Sequence, residues 1–285
     1  MPTPKHNALD HVVFNTRDQT DAAVHFFERI GFTVTPRGHH TLGSINHTIV
    51  LDHDYLELLG YPPGQPPLQR PELQERQAGL LATVMATADA DASCAALCAL
   101  GLQPRPVQSF ARPVHLGGGR VQDAAFRVTR LAPETLPGTW LYYCQHLTRD
   151  LVWRPEWQIH ANGATGIAAL DIEVPNLGEA LPLYQACLSG TVTQHVPQTL
   201  GGSGPQAIIR MQNGVIRLRE AAGPARMRAL TFRVAALDLA FALLQRNQVA
   251  HQWLRGTSSG SADLIVLDPA SSFGATLQLC ASATG

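Results

Sequence analysis

LDHVVFNTRDQTDAAVHFFERIGF, residues 9–32, reads as a short strand followed by an amphipathic helix and its stop signal. LDHVVF (9–14) is the apolar strand. The helix runs from about Asp18 to Ile30, because Ala23, Phe26, Phe27 and Ile30 recur at helical spacing. Gly31 stands where a left-handed residue ends a helix. After it come the Gly-x-x-Asn-His segment of residues 43–47, a further strand, and YLELLG (55–60). The order is strand, helix, three strands.

The same order recurs weakly at a spacing of roughly 70 residues. Later units open on LLATVMAT at 80, GIAALDIEV at 166 and RALTFRV at 228. Each opening strand leads to a polar start and an apolar-periodic helix, from about Asp89, Asn176 and Leu237. Gly101, Gly190 and Asn247 take the terminating role. The units close on TWLYYC (139–144), GVIRLRE (214–220) and ATLQLC (275–280). Residues 145–165, with two Trp, two His and an Asn-Gly turn, join the second unit to the third.

Two side chains break the apolar pattern of the first unit. His11 sits in its first strand and Glu57 in its last. A buried carboxylate is costly unless paired or bound to a cation, and an imidazole can ligate a metal through one nitrogen. Alternate side chains share a strand face, so Leu9, His11 and Val13 are expected on one face, as are Tyr55, Glu57 and Leu59.

Composition narrows the function. The chain has 285 residues, 45% hydrophobic and 15% charged, with a formal net charge of −1. Lys5 is its only lysine and no basic patch stands out, which argues against nucleic acid as a partner. No apolar run is long enough to span a membrane, and MPTPKHN lacks a signal-peptide core. Five Cys without C-x-x-C fit free thiols and a cytoplasmic location. Cys94 and Cys98, one helical turn apart, read as core residues. Gly117–Gly119 lacks the Lys-Ser/Thr of a phosphate loop.

LDHVVF, the helix end RIGF (29–32), GHHTLGSINHTIVL (38–51), YLELLG and the linker HANGA (160–164) resemble the glyoxalase-like domain branch of the vicinal oxygen chelate superfamily, which includes glyoxalase, bleomycin-resistance proteins and dioxygenases. The resemblance implies an α+β fold of four βαβββ modules paired into two glyoxalase-like cupped barrels. It divides the chain into an N-terminal pair, residues 1–150, carrying the site, and a C-terminal pair, residues 151–285, that is structural or degenerate.

The resemblance also implies chemistry. Metal ligands in this superfamily come from first and last strands, here His11 and Glu57, with Glu57 also the catalytic carboxylate. A divalent ion such as Zn, Fe or Mn suits that mixture and would supply Lewis acidity for lyase- or isomerase-type chemistry on a small oxygen-rich molecule. In unit two, Thr83 and Tyr142 stand at the matching places, so His146, His40 or His47 must complete the set. Asn46, Tyr142 and His160 are the candidate substrate contacts. In units three and four the matching positions are Asp171, Arg217, Thr231 and Gln278, where Asp171 and Arg217 can neutralise each other. The alternative is a metal-free protein that binds or sequesters a small ligand. Partners are thus a small molecule and, in assembly, a second copy as a homodimer, with no nucleic acid and no membrane.

Overall fold

The computed structural model describes residues 8–40, 43–65, 70–116, 118–189, 191–194, 206–256 and 263–281. All four expected units are present. The first comprises β1 (Leu9–Arg17), α1 (Thr20–Arg29), β2 (Gly38–His39), β3 (Ile45–Val50) and β4 (Tyr55–Gly60). A short helix, α2 (Glu72–Glu75), precedes the second unit: β5 (Gly79–Ala86), α3 (Ala90–Ala99), β6 (Arg105–His115), β7 (Val121–Arg130) and β8 (Trp140–His146). The third holds β9 (Ala164–Val174), α4 (Leu177–Leu188), β10 (Thr191–Gln194), β11 (Gln206–Arg210) and β12 (Val215–Glu220). The fourth holds β13 (Arg226–Val234), α5 (Leu237–Arg246), β14 (His251–Leu254), β15 (Leu264–Leu267) and β16 (Thr276–Ala281).

Two eight-stranded sheets result, with orders β2-β3-β4-β1-β5-β8-β7-β6 and β10-β11-β12-β9-β13-β16-β15-β14. The orders are identical in pattern, so the repeat in sequence is a repeat in topology. Within each unit the last strand pairs in parallel with the first, and the two first strands of a sheet pair antiparallel. The first sheet ends at His146 and the second begins at Ala164. They are not separate cores. Leu9, Val12, Phe14 and Phe27 share one buried cluster with Ile167, Leu170, Leu230 and Phe232. A second cluster, including Val13, Tyr55, Val84, Phe126 and Tyr142, fills the opposite face of the first sheet.

The helix signals act as their chemistry requires. Asp89 caps α3 by accepting from the amides of Asp91 and Ala92, and Asn176 caps α4 through Glu179 N. Gly31 and Gly101 have φ of 92° and 77° after α1 and α3. After α5 the left-handed residue is Gln248, with φ 53°, and not Asn247. After α4 it is Ser189, with φ 50°; Gly190 lies outside the described residues. Cys98 is exposed and Cys94 half-buried, so neither is a core residue.

The linker is stapled to the first unit. Asn162 Nδ2 donates to Ile30 O at 2.9 Å, and a Cβ on Gly31 would lie 2.9 Å from Asn162 Cβ. Asp54, at the β3–β4 turn, reaches the second sheet: it accepts from Ile167 N and Asn213 Nδ2, both at 2.9 Å. Burial pushes its carboxyl up to about 7, although Ile167, Arg233 and Asn213 favour the anion. Between the ordinary value of 3.8 and about 7 the folded chain therefore holds a proton that the unfolded chain has lost. This contribution to stability falls as pH rises through that window and is lowest above it. Asp54→Asn should flatten this fall: calorimetric melts at pH 5 and pH 8 should differ less in the variant than in the wild-type protein.

Candidate functional site

A cavity of about 80 Å³ opens on the face of the first sheet away from the shared core. His11 and Glu57 both line it, with His40, Asn46, Tyr55 and Tyr142. The parallel β1–β4 register sets His11 beside Tyr55 and Val13 beside Glu57. The His11 ring stacks on Tyr55, with centroids 4.3 Å apart. Its Nε2 stands 3.9 Å from Glu57 Oε2. Glu57 is held from the other side: Asn46 Nδ2 on β3 donates to its Oε1 at 2.7 Å. Gly38 makes room for that amide, since a Cβ there would lie 2.3 Å from Asn46 Oδ1.

Behind His11 sits Asp10, buried to 1% exposure. Its Oδ2 lies 2.6 Å from His11 Nδ1 and 2.9 Å from His146 Nε2. Burial would raise this carboxyl, but the charge of His146 and the hydrogen bonds from His11 and His146 hold it well below the usual carboxylate range. A carboxylate only accepts. His11 Nδ1 is thus the donor, and Nε2 is the nitrogen turned to Glu57. Asp10 reaches this position because β1 bulges: Leu9 pairs with Met85 and His11 with the adjacent Val84, which leaves Asp10 as an extra residue. The bulge also corrects the strand parity, for Leu9 turns to the shared core while His11 and Val13 face the other way.

The cavity is electrically uneven. Burial would raise Glu57, but His11, His40, Asn46 and Arg70 outweigh it and bring the carboxyl below its usual value. Burial pushes the His40 imidazole down to about 4, despite the pull of Glu57, so it is neutral at pH 7. Burial also holds the Cys144 thiol well above its ordinary value, with Asp10 and Glu57 adding to the effect. Three guanidiniums, of Arg70, Arg112 and Arg130, complete the lining.

The donor set for a metal can be tested directly. Two ligands about 2.1 Å from one ion lie at most roughly 4.2 Å apart, so His11 Nε2 and Glu57 Oε2 at 3.9 Å can share one. No third donor among the described residues joins them. Among the described residues the only His, Cys, Asp or Glu trio with ligand atoms within 4.8 Å of one another is Asp10, Cys144 and His146. His146 is turned to Asp10, and its buried Nδ1 has no hydrogen-bond partner among the described residues. His40 lines the cavity and bonds Ser44 Oγ at 2.8 Å through Nδ1, but it is not close enough to complete a trio.

The other sequence candidates divide. Tyr142 and Asn46 line the cavity. His160 does not: its ring bridges Thr33 N and Val50 O at 3.0 Å each, an internal tie between linker and first unit. His47 is engaged by Thr35 O at 2.7 Å. Thr83 bonds Thr139 at 2.9 Å, and Val84 takes the cavity face in its place. Asp10, Cys144 and the three arginines escaped the sequence reading. Parity put Asp10 on the opposite face, and no local pattern marks residues 70, 112 and 130 as neighbours.

At the equivalent strands of the second sheet the matching side chains close on one another. Arg217 grips Asp171 with two hydrogen bonds, Nε to Oδ1 at 2.6 Å and Nη2 to Oδ2 at 2.8 Å. Nη2 also reaches Thr231 Oγ1 at 3.3 Å, and Thr231 donates to Gln278 Oε1 at 2.8 Å. All four positions that match the ligand positions of the family satisfy one another.

These features agree with comparison to known proteins. The family model described as glyoxalase-like domain matches residues 9–188. The chain belongs to this family, within the vicinal oxygen chelate superfamily. A crystal structure of a hypothetical protein from Staphylococcus aureus is similar in fold, with a TM-score of 0.69 and 12% identity over 96% of this chain and 99% of that one. So is a xylose isomerase-like TIM barrel/4-hydroxyphenylpyruvate dioxygenase fusion protein, with a TM-score of 0.69 and 13% identity over 100% of this chain and 50% of that one. At such identities the likeness is one of fold. No curated protein matches the sequence.

Removing Asp10 strands two buried imidazoles, so Asp10→Ala should cost about 3 kcal/mol of stability. Asp171→Ala breaks a half-exposed pair and should cost about 1–2 kcal/mol. Urea unfolding of both variants checks the order; a smaller loss for Asp10→Ala would show that its carboxylate does not organise the site.

Proposed function

We propose that the N-terminal cup is an enzyme site that moves a proton on a small oxygen-rich molecule, the step common to lyase- and isomerase-type reactions. The observation that supports it is the line Asp10–His11–Glu57. Asp10 accepts from His11 Nδ1 at 2.6 Å, which turns Nε2 toward Glu57 and the cavity. A base oriented this way by a buried carboxylate is the arrangement that serves proton abstraction. Nε2 accepts the proton from the substrate. Glu57, 3.9 Å away, is the catalytic carboxylate that steadies the resulting imidazolium. Asn46 fixes Glu57, and Tyr142 and the apolar wall position the substrate and limit water.

A metal-assisted form of the reading is favoured by one observation, the fit of His11 and Glu57 to a shared ion. In that form the two side chains hold a divalent cation, with His40 as the nearest further imidazole in the lining. The ion would contribute Lewis acidity toward substrate oxygens. The incomplete donor set makes proton transfer by the side chains themselves the leading reading. The second cup is proposed to be structural, since its matching residues are occupied with one another. A cytoplasmic setting rests on the free cysteines, and assembly as a homodimer rests on the resemblance alone. Among the described residues no helix is long and apolar enough to cross a membrane.

Metal analysis and solvent exchange together test this reading. Protein purified without chelator or nickel resin is analysed for metal, then incubated in D2O with a panel of small hydroxy- and oxo-compounds. The expected result is deuterium incorporation into one member, reduced at least 100-fold in His11→Gln and Glu57→Gln. Stoichiometric metal lost in both His11→Ala and Glu57→Ala would move the assignment to the metal-assisted form. Tight ligand retention with no exchange would replace the enzyme reading by sequestration.

A further inference from the structure

We infer that the cup takes a small carboxylate, gripped by Arg112, with Arg70 and Arg130 elsewhere in the same lining. The inference rests on the cup being the ligand site; it does not depend on the role given to His11.

Arg112 carries the argument. It lies on β6, its side chain lines the cavity, and it is only 6% exposed. Among the described residues its guanidinium has no hydrogen bond and no ion pair, and Tyr55 and Glu57 act on it only from a distance. A buried cation without a partner carries a large desolvation cost. Proteins retain such a group where a ligand supplies the missing charge. Glu57 does not: it lies beyond ion-pair distance from Arg112, and its Oε1 is taken by Asn46.

The charges around it point the same way. Arg70 Nε donates to Glu72 Oε1 at 2.9 Å, and Arg130 Nη2 donates to Gln108 Oε1 at 2.8 Å. Arg130 also stands 5.4 Å over the Tyr142 ring. Against three guanidiniums the cavity sets Glu57 and, beside Arg70, Glu72. Asp10 lies behind His11, its charge already met by two imidazoles. Among the described residues no carboxylate stands within ion-pair distance of Arg112, and Glu57 acts on it only from further away. A guanidinium fork matches a carboxylate with two parallel hydrogen bonds. The remaining lining is apolar and partly aromatic: Phe110 and Phe126 stack with centroids 5.3 Å apart, next to Leu59, Val84 and Val128. That wall suits a compact acid with an apolar body better than a hydrated phosphate.

The test uses the full chain at constant ionic strength, with acetate, benzoate and salicylate as probes, benzamide as the neutral control and inorganic phosphate as the competing anion. Thermal melts and titration calorimetry are the readouts. At least one carboxylate should raise the melting temperature of the wild-type protein, and benzamide should not. Arg112→Met should weaken that carboxylate at least tenfold. Without ligand, Arg112→Met should melt no lower than the wild-type protein, because the thioether fills the space without an unpaired charge. His11→Gln should keep carboxylate protection, which separates this inference from the proton-transfer reading. Equal protection by benzoate and benzamide, protection by phosphate alone, no protection by any carboxylate, or a lower melting temperature for ligand-free Arg112→Met would each overturn it.

Discussion

The pairing of first strands with last strands is the constraint on which the rest of this molecule depends. In every unit the chain leaves on one strand, crosses by a helix, meanders, and returns parallel to its start. The two opening strands of a sheet then pair antiparallel. Four central strands are thereby brought side by side, though in sequence they lie scores of residues apart. Any polar residue placed on the cavity face of these strands meets the others. His11 and Glu57 are together for this reason, and so are Asp171, Arg217, Thr231 and Gln278.

The same geometry has been put to two uses. In the second sheet the four positions are chemically complementary, and the guanidinium, carboxylate, hydroxyl and amide close on one another. Nothing there requires a ligand. In the first sheet two of the four central positions are apolar or phenolic, and the polar groups remain incompletely matched. Asp10 uses its charge on two imidazoles, Asn46 restrains Glu57, and Arg112 has no hydrogen bond or ion pair among the described residues. On the proposed reading, the difference between a scaffold and a site is a difference in how far the buried polar groups satisfy each other.

The two sheets also depend on each other. The shared core runs from Phe14 and Phe27 to Leu230 and Phe232. Asp54 crosses to the second sheet, and the linker residues His160 and Asn162 fasten the end of α1. His160 in HANGA is therefore a structural histidine: the Asn-Gly turn that made it conspicuous places it against the backbone of the first unit and away from the cavity.

The sequence by itself determined the units, their helices and their two odd side chains. Hydrophobic period, caps such as Asp89 and stops such as Gly31 are local, and local signals survive without coordinates. Strand parity and the family resemblance together made Glu57 and Tyr142 candidates, and both line the cavity. Parity failed at Asp10, because a bulge is a property of the pairing between β1 and β5 and not of either strand alone. It failed again at Thr83, where the cavity face belongs to Val84. Arg70, Arg112 and Arg130 carry no motif; they line one cavity only because the fold brings a loop residue and the adjacent strands β6 and β7 to it. Which buried charges find partners is decided by tertiary structure, because electrostatic neighbours are set by distance in space, and spacing along the chain fixes that distance only within a single element.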